Sequence, residues 1–187
     1  MVRLETDRLV LAIPEPSGAA RMVEYFVRNA AHLEPFEPPR PPDFLTEAYW
    51  QARLAVNRRE AEDGVSVRLA IRARGDDAGA VLGVCNFTQI FRGPLRRSVL
   101  GFSLDWECVG KGIMYEALVR SIAYAFEDLA LHRIEANHLP DNERSARLLR
   151  RLGFVVEGYA KDYLFIAGAW RDHVLNSLTN PSGAAPG

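Results

Sequence analysis

Apolar positions in this chain repeat with two different periods, and the switches between them divide it into elements. The run Arg8–Ile13, ended by Pro14, predicts a strand; behind it Ser17 is placed to cap a helix through about Asn29, with Met22, Tyr25 and Phe26 on one face. Pro35, Pro38, Pro39, Pro41 and Pro42 then exclude both helix and central strand, so this stretch is expected to be a surface loop. Thr46 is a suitable N-cap for a second helix that Gly64 would end. From Val65 the period becomes two: Val67, Leu69 and Ile71 alternate with polar neighbours, and Ala80–Ile90 follows the turn Arg74–Gly79, which predicts a hairpin. After the turn Arg92–Arg97, Ser98–Asp105 reads as a strand. Val109-Gly110-Lys111-Gly112 then opens a helix to about Leu129, whose apolar side carries Met114, Leu118, Ile122, Ala125 and Leu129. Arg133–Asn137 is the next strand. Asn142 caps a helix over Glu143–Leu152 that Gly153 ends, and Phe154–Ile166 with Trp170–Leu178 forms a closing hairpin around Ala167-Gly168.

Length narrows this to one domain. The 187 residues carry neither internal repeat nor linker composition, so a single domain is expected over residues 1–179, with a flexible Gly/Ala/Pro tail over 180–187. The net charge of −1 offers no global field for nucleic acid or an acidic membrane, so direct nucleic-acid binding is not expected and a charged ligand needs a local site. A hydrophobic fraction of 48% supplies a real core, and Cys85 and Cys108 are too few for a disulfide scaffold. No apolar run approaches the roughly 20 residues that span a bilayer, and Met1–Arg8 is charged, so the expected location is the cytoplasm. The four histidines have no metal-ligand spacing, and no metal is expected.

The chemistry concentrates at Val109–Met114. A strand ending in a Gly-x-Gly turn that starts a helix gathers backbone N–H groups and the positive end of the helix dipole at one point, which suits a phosphate. Glycine at 110 and 112 lets a ligand approach the backbone, and Lys111 adds a charge. The spacing is neither that of a Walker A loop nor that of a dinucleotide fingerprint.

Downstream, Arg133-Ile-Glu-Ala-Asn137, then Asn142-x-x-Ser145, then Leu148-Leu149-x-x-Leu152-Gly153-Phe154 complete a more specific pattern with Glu107-x-x-Gly-x-Gly112. Together they resemble the GNAT N-acetyltransferase superfamily, and Thr6-Asp7-Arg8-Leu9 resembles its RimJ/RimL branch. Trp50-Gln51-Ala52-Arg53-Leu54, Glu157–Leu164 and Trp170–Leu175 resemble the members of that branch that acetylate alanine at ribosomal-protein N termini. The resemblance implies acetyl-CoA as co-substrate and an α/β (α+β) fold: a mixed, mostly antiparallel twisted sheet of six to seven strands, with helices on both faces. The cofactor would enter where two central strands diverge. It further implies that the amides of Val109, Gly110, Lys111, Gly112, Ile113 and Met114 bind the diphosphate, and that Phe102, Ser103 and Leu104 pair with the pantetheine and fix the acetyl carbonyl.

Departures from the family pattern shift the remaining assignments. Glu107 stands where the family carries Gln or Arg, which leaves diphosphate binding to the backbone. Asn142 is both a routine helix cap and a candidate CoA contact. Leu149 replaces the tyrosine that some relatives use as acid, which makes Ser145 the candidate to protonate the departing thiolate, with Tyr159 as the alternative. Asn137 occupies a position that carries a glutamate base in some relatives, and Glu135, on the same face, could relay a proton through water. A weak base suits an α-amine. Near pKa 7.8 roughly one amine in seven is neutral at pH 7, against about one in 2,500 for a lysine. Cys108 is expected to be a packed cysteine, His173 a strand histidine, and Arg92, Arg96 and Arg97 a solvated turn.

The sequence thus points to direct acetyl transfer, without a covalent enzyme intermediate, to the N-terminal amine of a protein beginning with Ala or Ser. The expected partner is a small-subunit ribosomal protein, met by a monomer or homodimer. Two rivals remain open: a small amine such as an antibiotic or polyamine as acceptor, and a non-catalytic module that binds acyl-CoA or assists ribosome assembly.

Overall fold

In a computed structural model, which describes residues 2–76 and 78–182, one sheet organises the chain. Its strands are β1 (Arg3–Glu5), β2 (Leu9–Ala12), β3 (Val67–Ala73), β4 (Gly83–Phe91), β5 (Arg97–Leu104), β6 (Arg133–His138), β7 (Val155–Ile166) and β8 (Ala169–Thr179), in the order β1-β2-β3-β4-β5-β6-β8-β7. Every neighbouring pair is antiparallel except β5 and β6, which run parallel. A parallel pair needs a crossover, and α4 (Ile113–Glu127) supplies it.

Alternation along the strands assigns the helices to faces. Leu69, Ile71, Cys85 and Phe87 pack with Met114, Leu118 and Ala125 of α4 and with Leu149 of α5 (Glu143–Arg151). Ala70 and Val84 point the other way, toward Tyr25 and Phe26 of α1 (Ala19–Arg28), Leu33 of α2 (Ala30–Leu33), and Trp50 and Leu54 of α3 (Glu47–Glu62). Two apolar layers therefore sandwich the sheet, as its period-two pattern requires. Each fully buried Leu or Ile contributes roughly 1.5–3 kcal/mol to that arrangement.

Most expected elements lie within a few residues of their predicted bounds, and three features differ. The sheet has eight strands rather than six to seven, because the three-residue edge strand β1 is too short to show a period; only its central Leu4 is buried, and it pairs with Leu11. Ser17 does not cap a helix. Pro16–Gly18 is a 3-10 turn, and α1 starts after Gly18 with no side-chain cap, because Pro16 sets the φ of a turn that contains Ser17. The helical pattern also runs on past Asn29 into α2 and a 3-10 turn at Glu34–Phe36 that includes Pro35, expected to exclude helix but tolerated in a first turn, before Pro38 and Pro39 stop it.

The caps at Thr46 and Asn142 form as expected, accepting from the N–H of Tyr49 and Ser145 respectively. At the C-terminus of α5, Gly153 takes φ +90° and closes the helix with bonds from Gly153 N to Arg150 O and from Phe154 N to Leu149 O. Of the tail expected from residue 180, Asn180 N–H donates to His132 O at 2.8 Å, and residues 183–187 lie outside the described residues.

Candidate active site

The parallel pair β5–β6 holds together only briefly. Arg97, Ser98 and Val99 pair with Arg133, Ile134 and Glu135, and beyond Val99 no strand meets the β6-facing edge of Gly101–Leu104 among the described residues. A wedge therefore opens in mid-sheet, beside Phe102, Ser103 and Leu104. A bulge in β4 between Thr88 and Phe91, with Gln89 at φ +51°, adds local twist next to it. Above the wedge on the α1 side, a Cβ on Gly101 would meet nothing within 4 Å. Ser103 Oγ is 2.9 Å from Tyr25 Oη, whose burial raises the phenol pKa well above its ordinary value.

At the end of β5 the chain is tied down by a buried carboxylate. Asp105 accepts from Arg28 Nε at 2.7 Å, from Asn29 Nδ2 at 3.1 Å and from the N–H of Glu107 at 3.0 Å. Burial works against this charge, but the three donors outweigh it and hold the carboxyl below the ordinary range. The following turn reaches α4 through Gly110 at φ +79° and Gly112 at φ +74°, conformations that only glycine adopts without strain. The N–H groups of Gly110, Gly112, Ile113 and Met114 bond to no acceptor among the described residues, and α4 has no side-chain cap. Met114 buries its side chain in the core, so its amide is the part available. Unspent amides at the start of a fifteen-residue helix form an anion site of the kind the sequence predicts.

A clamp from the far edge of the sheet fixes that turn. Arg8 donates from Nη1 to Lys111 O at 3.2 Å and from Nε to Glu116 Oε2 at 2.6 Å, while Glu116 Oε1 accepts from Thr6 Oγ1 at 2.5 Å and from Arg8 N–H at 3.1 Å. Partial burial opposes the Glu116 charge, and the bonds from Thr6 and Arg8 more than offset it, leaving its pKa lowered. The motif Thr6-Asp7-Arg8-Leu9 thus acts as a bracket on Gly112, where an added Cβ would lie 3.6 Å from Arg8 Nη2. Glu107 is exposed beside the turn, and Lys111 is exposed within it.

Beyond β6, Asn142 Oδ1 accepts from Ser145 N–H at 3.1 Å, which leaves the half-buried Ser145 hydroxyl without a partner among the described residues. Glu135 is held between Arg97 Nη1 at 2.6 Å and Arg133 Nε at 3.0 Å, and Arg133 also binds Glu157. Asn137 is equally committed: its Oδ1 accepts from Asn176 N–H at 3.3 Å, so its Nδ2 donates to Tyr163 Oη at 3.1 Å. Tyr159 stands apart from these groups. It pairs with Val174 whereas Asn137 pairs with Leu175, which puts the two side chains on opposite faces, and its hydroxyl donates to Asp172 at 2.7 Å.

Tyr163 is the functional candidate that sequence reasoning missed. Between Ala160–His173 and Leu164–Arg171 the ladder of β7 slips, with Asp162 at φ +48° and its N–H bonded to Asp172. This bulge brings Tyr163 to Asn137 and to the buried His173 ring, 5.1 Å away. Regular alternation carries no signal for a bulge. Cys108 is half-buried, and burial together with Asp105 raises its thiol pKa, which disfavours the thiolate. Of the arginine turn, Arg92 donates to Leu129 O and Arg97 is spent on Glu135, so it is less solvated than expected. Among the described residues no group of His, Cys, Asp and Glu could hold a metal ion, and no helix is long and apolar enough to cross a membrane.

Comparison with known proteins agrees with this geometry. The family model described as Acetyltransferase (GNAT) domain matches residues 8–155. The chain is 42% identical over 180 residues to the ribosomal protein uS5-alanine N-acetyltransferase of Escherichia coli K12, covering 96% of this chain and 92% of that one. Among solved structures it is similar to the ribosomal-protein-S5-alanine acetyltransferase of Vibrio fischeri, with TM-score 0.92 and 36% identity over 98% of this chain and 100% of that one. It is also similar to Mycobacterium smegmatis RimJ in complex with CoA-disulfide, with TM-score 0.87 and 28% identity over 98% and 89%. A splayed parallel pair, a helix-opening turn of free amides and a family model spanning most of the sequence lead to one assignment: the chain belongs to the GNAT acetyltransferase family.

Proposed function

We propose that this enzyme acetylates the N-terminal α-amine of a protein beginning with Ala or Ser, a cytoplasmic small-subunit ribosomal protein being the favoured acceptor, with acetyl-CoA as donor. The observation that carries this reading is the set of unspent amides of Gly110, Gly112, Ile113 and Met114, beside an unpaired strand edge at Gly101–Leu104. The fit to the donor is physical. Phosphate oxygens need N–H donors and a positive field, which the free amides of Gly110, Gly112, Ile113 and Met114 and the start of α4 provide despite the acidic Glu107. An extended amide-bearing arm needs a strand edge, which Phe102, Ser103 and Leu104 provide. The identity of 42% to a uS5-alanine N-acetyltransferase supports the choice of acceptor.

When bound, the donor supplies a thioester carbonyl that a neutral amine can attack directly. A main-chain N–H of Phe102–Leu104 would polarise that carbonyl and hold the oxyanion. The C–N bond forms first and the C–S bond breaks as the oxyanion collapses; Ser145 Oγ, free of other partners, gives its proton to the sulfur and takes one back from water, which balances the proton the amine releases. Asn142 orients the first turn of α5 and thereby Ser145. The proton lost by the amine passes to water ordered near Glu135 and Asn137. Neither group needs to be a strong base, because the α-amine is already partly neutral near pH 7. Tyr159, bonded to Asp172 on the opposite face from Asn137, is the weaker candidate for the acid.

Mass spectrometry of acetyl-CoA reactions tests the assignment. The acceptors are peptides starting with Ala or Ser, the same peptides N-blocked but carrying a lysine, and a panel of small amines. Modification confined to free Ala or Ser termini is the expected result, whereas turnover of small amines alone would move the protein to a different acceptor class.

A further inference from the structure

On the side of the sheet covered by α1 and α3, over β3 and β4 and so one to two strands from the wedge, lies a cavity of about 170 Å³. Arg68 and Asn86 are on its sheet side, and Trp50, Arg53 and Asn57 line it from α3. Two guanidinium groups here meet a single carboxylate among the described residues: Glu60 lies 3.4 Å from Arg53 and 3.4 Å from Arg68, and it also accepts from Ser66 Oγ at 2.6 Å. Charge-assisted pairs normally close to about 2.7–2.9 Å. Glu60 is therefore stretched across both arginines, and the cluster keeps one positive charge in excess. Its arginine side chains are only 30% and 28% exposed, so water compensates that excess poorly. Burial, and then repulsion from Arg53, lower the pKa of Arg68, as expected for an under-compensated cation.

The neutral polar groups of the same cavity also favour an acceptor-rich ligand. Trp50 is 7% exposed, and its Nε1–H, which can only donate, is buried without a partner. Asn57 is 4% exposed, its Oδ1 makes no hydrogen bond, and only with the carboxamide turned over does it offer a donor to the same ligand, so Trp50 and the two arginines carry the preference.

We propose that this cavity binds the carboxylate of an Asp or Glu side chain close to the N terminus of the acceptor polypeptide. The inference rests on the acetyl-transfer reading above and adds a charge requirement to it. Strand register sets the position. Gly101 pairs with Asn86, and Asn86 pairs with Arg68, so Arg68 lies two strands from the wedge, a distance of about 10 Å. An extended chain covers about 3.3–3.6 Å per residue, which assigns the carboxylate to the third or fourth residue of the acceptor.

The test moves one Glu through positions 2 to 5 of an Ala-starting peptide, each peptide paired with its Gln counterpart, and reads kcat/KM for the unmodified enzyme, Arg68→Gln and Arg53→Gln. A preference for Glu over Gln of about 10-fold is expected at position 3 or 4, decreasing with added salt, and each substitution should shrink it toward 1. Acetyl-CoA affinity, measured in parallel, checks that each variant is folded and loaded. Equal rates for Glu and Gln at every position would overturn the carboxylate site and leave acetyl transfer standing. A preference that survives in both variants would also overturn it. If no peptide is acetylated, the acetyl-transfer reading falls, and this inference with it.

Discussion

The two flanks of the wedge are built by different means. On the α4 flank, the groups proposed to meet the donor are the free backbone amides of Gly110, Gly112, Ile113 and Met114; of the six amides expected there, those of Val109 and Lys111 are instead spent on Trp106 O and Cys108 O, and the turn is held by the bracket of Thr6, Arg8 and Glu116. On the β7–β8 flank, the groups proposed to meet the acceptor are side chains brought from distant segments: Asn137 from β6, Tyr163 from a bulge and His173 from β8. A backbone site needs only the right φ angles and tolerates many side chains. A side-chain site needs register, and one slipped pair moves it. This division suits an enzyme family that keeps one donor and varies its acceptor, because the acceptor flank can change without disturbing the turn.

Asp105 ties the donor flank to α1, and removing it should produce the largest effect. Its carboxylate joins Arg28 and Asn29 at the end of α1 to the N–H of Glu107 before the turn, with only 4% of the side chain exposed. Asp105→Ala leaves the guanidinium of Arg28 with only the Val81 carbonyl and the carboxamide NH2 of Asn29 with only the Tyr25 carbonyl, so the Arg28 charge loses its counter-ion. A loss of about 3–5 kcal/mol in urea unfolding is expected. Loss of less than about 1 kcal/mol would mean that the donor turn is held independently of α1. Acid should act through the same carboxylate. The folded-state pKa values of Asp105 and Glu116 are lowered, so their contribution is fully present above the ordinary carboxyl range. That contribution is lost progressively as pH falls below about 5 and through the lowered values. Tm measured from pH 7 to 3 should therefore decline, and by less in Asp105→Asn.

Perturbing the donor flank alone comes next. Gly112→Val places a branched side chain at φ +74° and toward Arg8, so CoA affinity should fall about 100-fold in a variant that still folds. Wild-type affinity in a folded Gly112→Val protein would remove the diphosphate from this turn. Arg8→Ala tests the bracket more gently. With the Lys111 carbonyl and Glu116 released, acetyl-CoA KM should rise about 10-fold while kcat changes little, and Arg8→Lys should recover only part because lysine cannot span both acceptors. Equal loss in KM and kcat would point instead to a bracket that matters for the whole fold.

The same contrast explains what could be read without coordinates. The donor flank is local in sequence: a strand, two glycines and an amphipathic helix follow one another, so their order alone predicts free amides over Val109–Met114, of which Gly110, Gly112, Ile113 and Met114 keep theirs free while Val109 and Lys111 turn theirs back onto the preceding 3-10 turn. The cap at Asn142 is local in the same way. By contrast, Thr6 and Arg8 lie about 110 positions from Glu116, and no periodicity links three polar residues that far apart. Glu135 reads as a solvated strand carboxylate until the register of β5 and β6 sets it between Arg97 and Arg133. Ser17 misleads because Pro16 starts a 3-10 turn in the place of a helix cap. Edge strand β1 is invisible because three residues cannot show an alternation.

Tyr163 gives the finest probe of the acceptor flank. Its hydroxyl receives one hydrogen bond from Asn137 Nδ2, and the side chain is 46% exposed at the rim. Tyr163→Phe removes that bond and keeps the ring contact with His173. A neutral hydrogen bond at such a site contributes about 0.5–1.5 kcal/mol, so the smaller end of that range applies to a group this exposed. The expected outcome is a fall of about threefold in kcat/KM for the acceptor peptide, with acetyl-CoA KM unchanged. Because Asn137 Oδ1 stays fixed by Asn176 N–H, the freed Nδ2 can turn only slightly, and water can replace the phenol. A rise in acetyl-CoA KM with the peptide constants intact would place Tyr163 with the donor instead, and the division between a backbone flank and a side-chain flank would have to be redrawn around it.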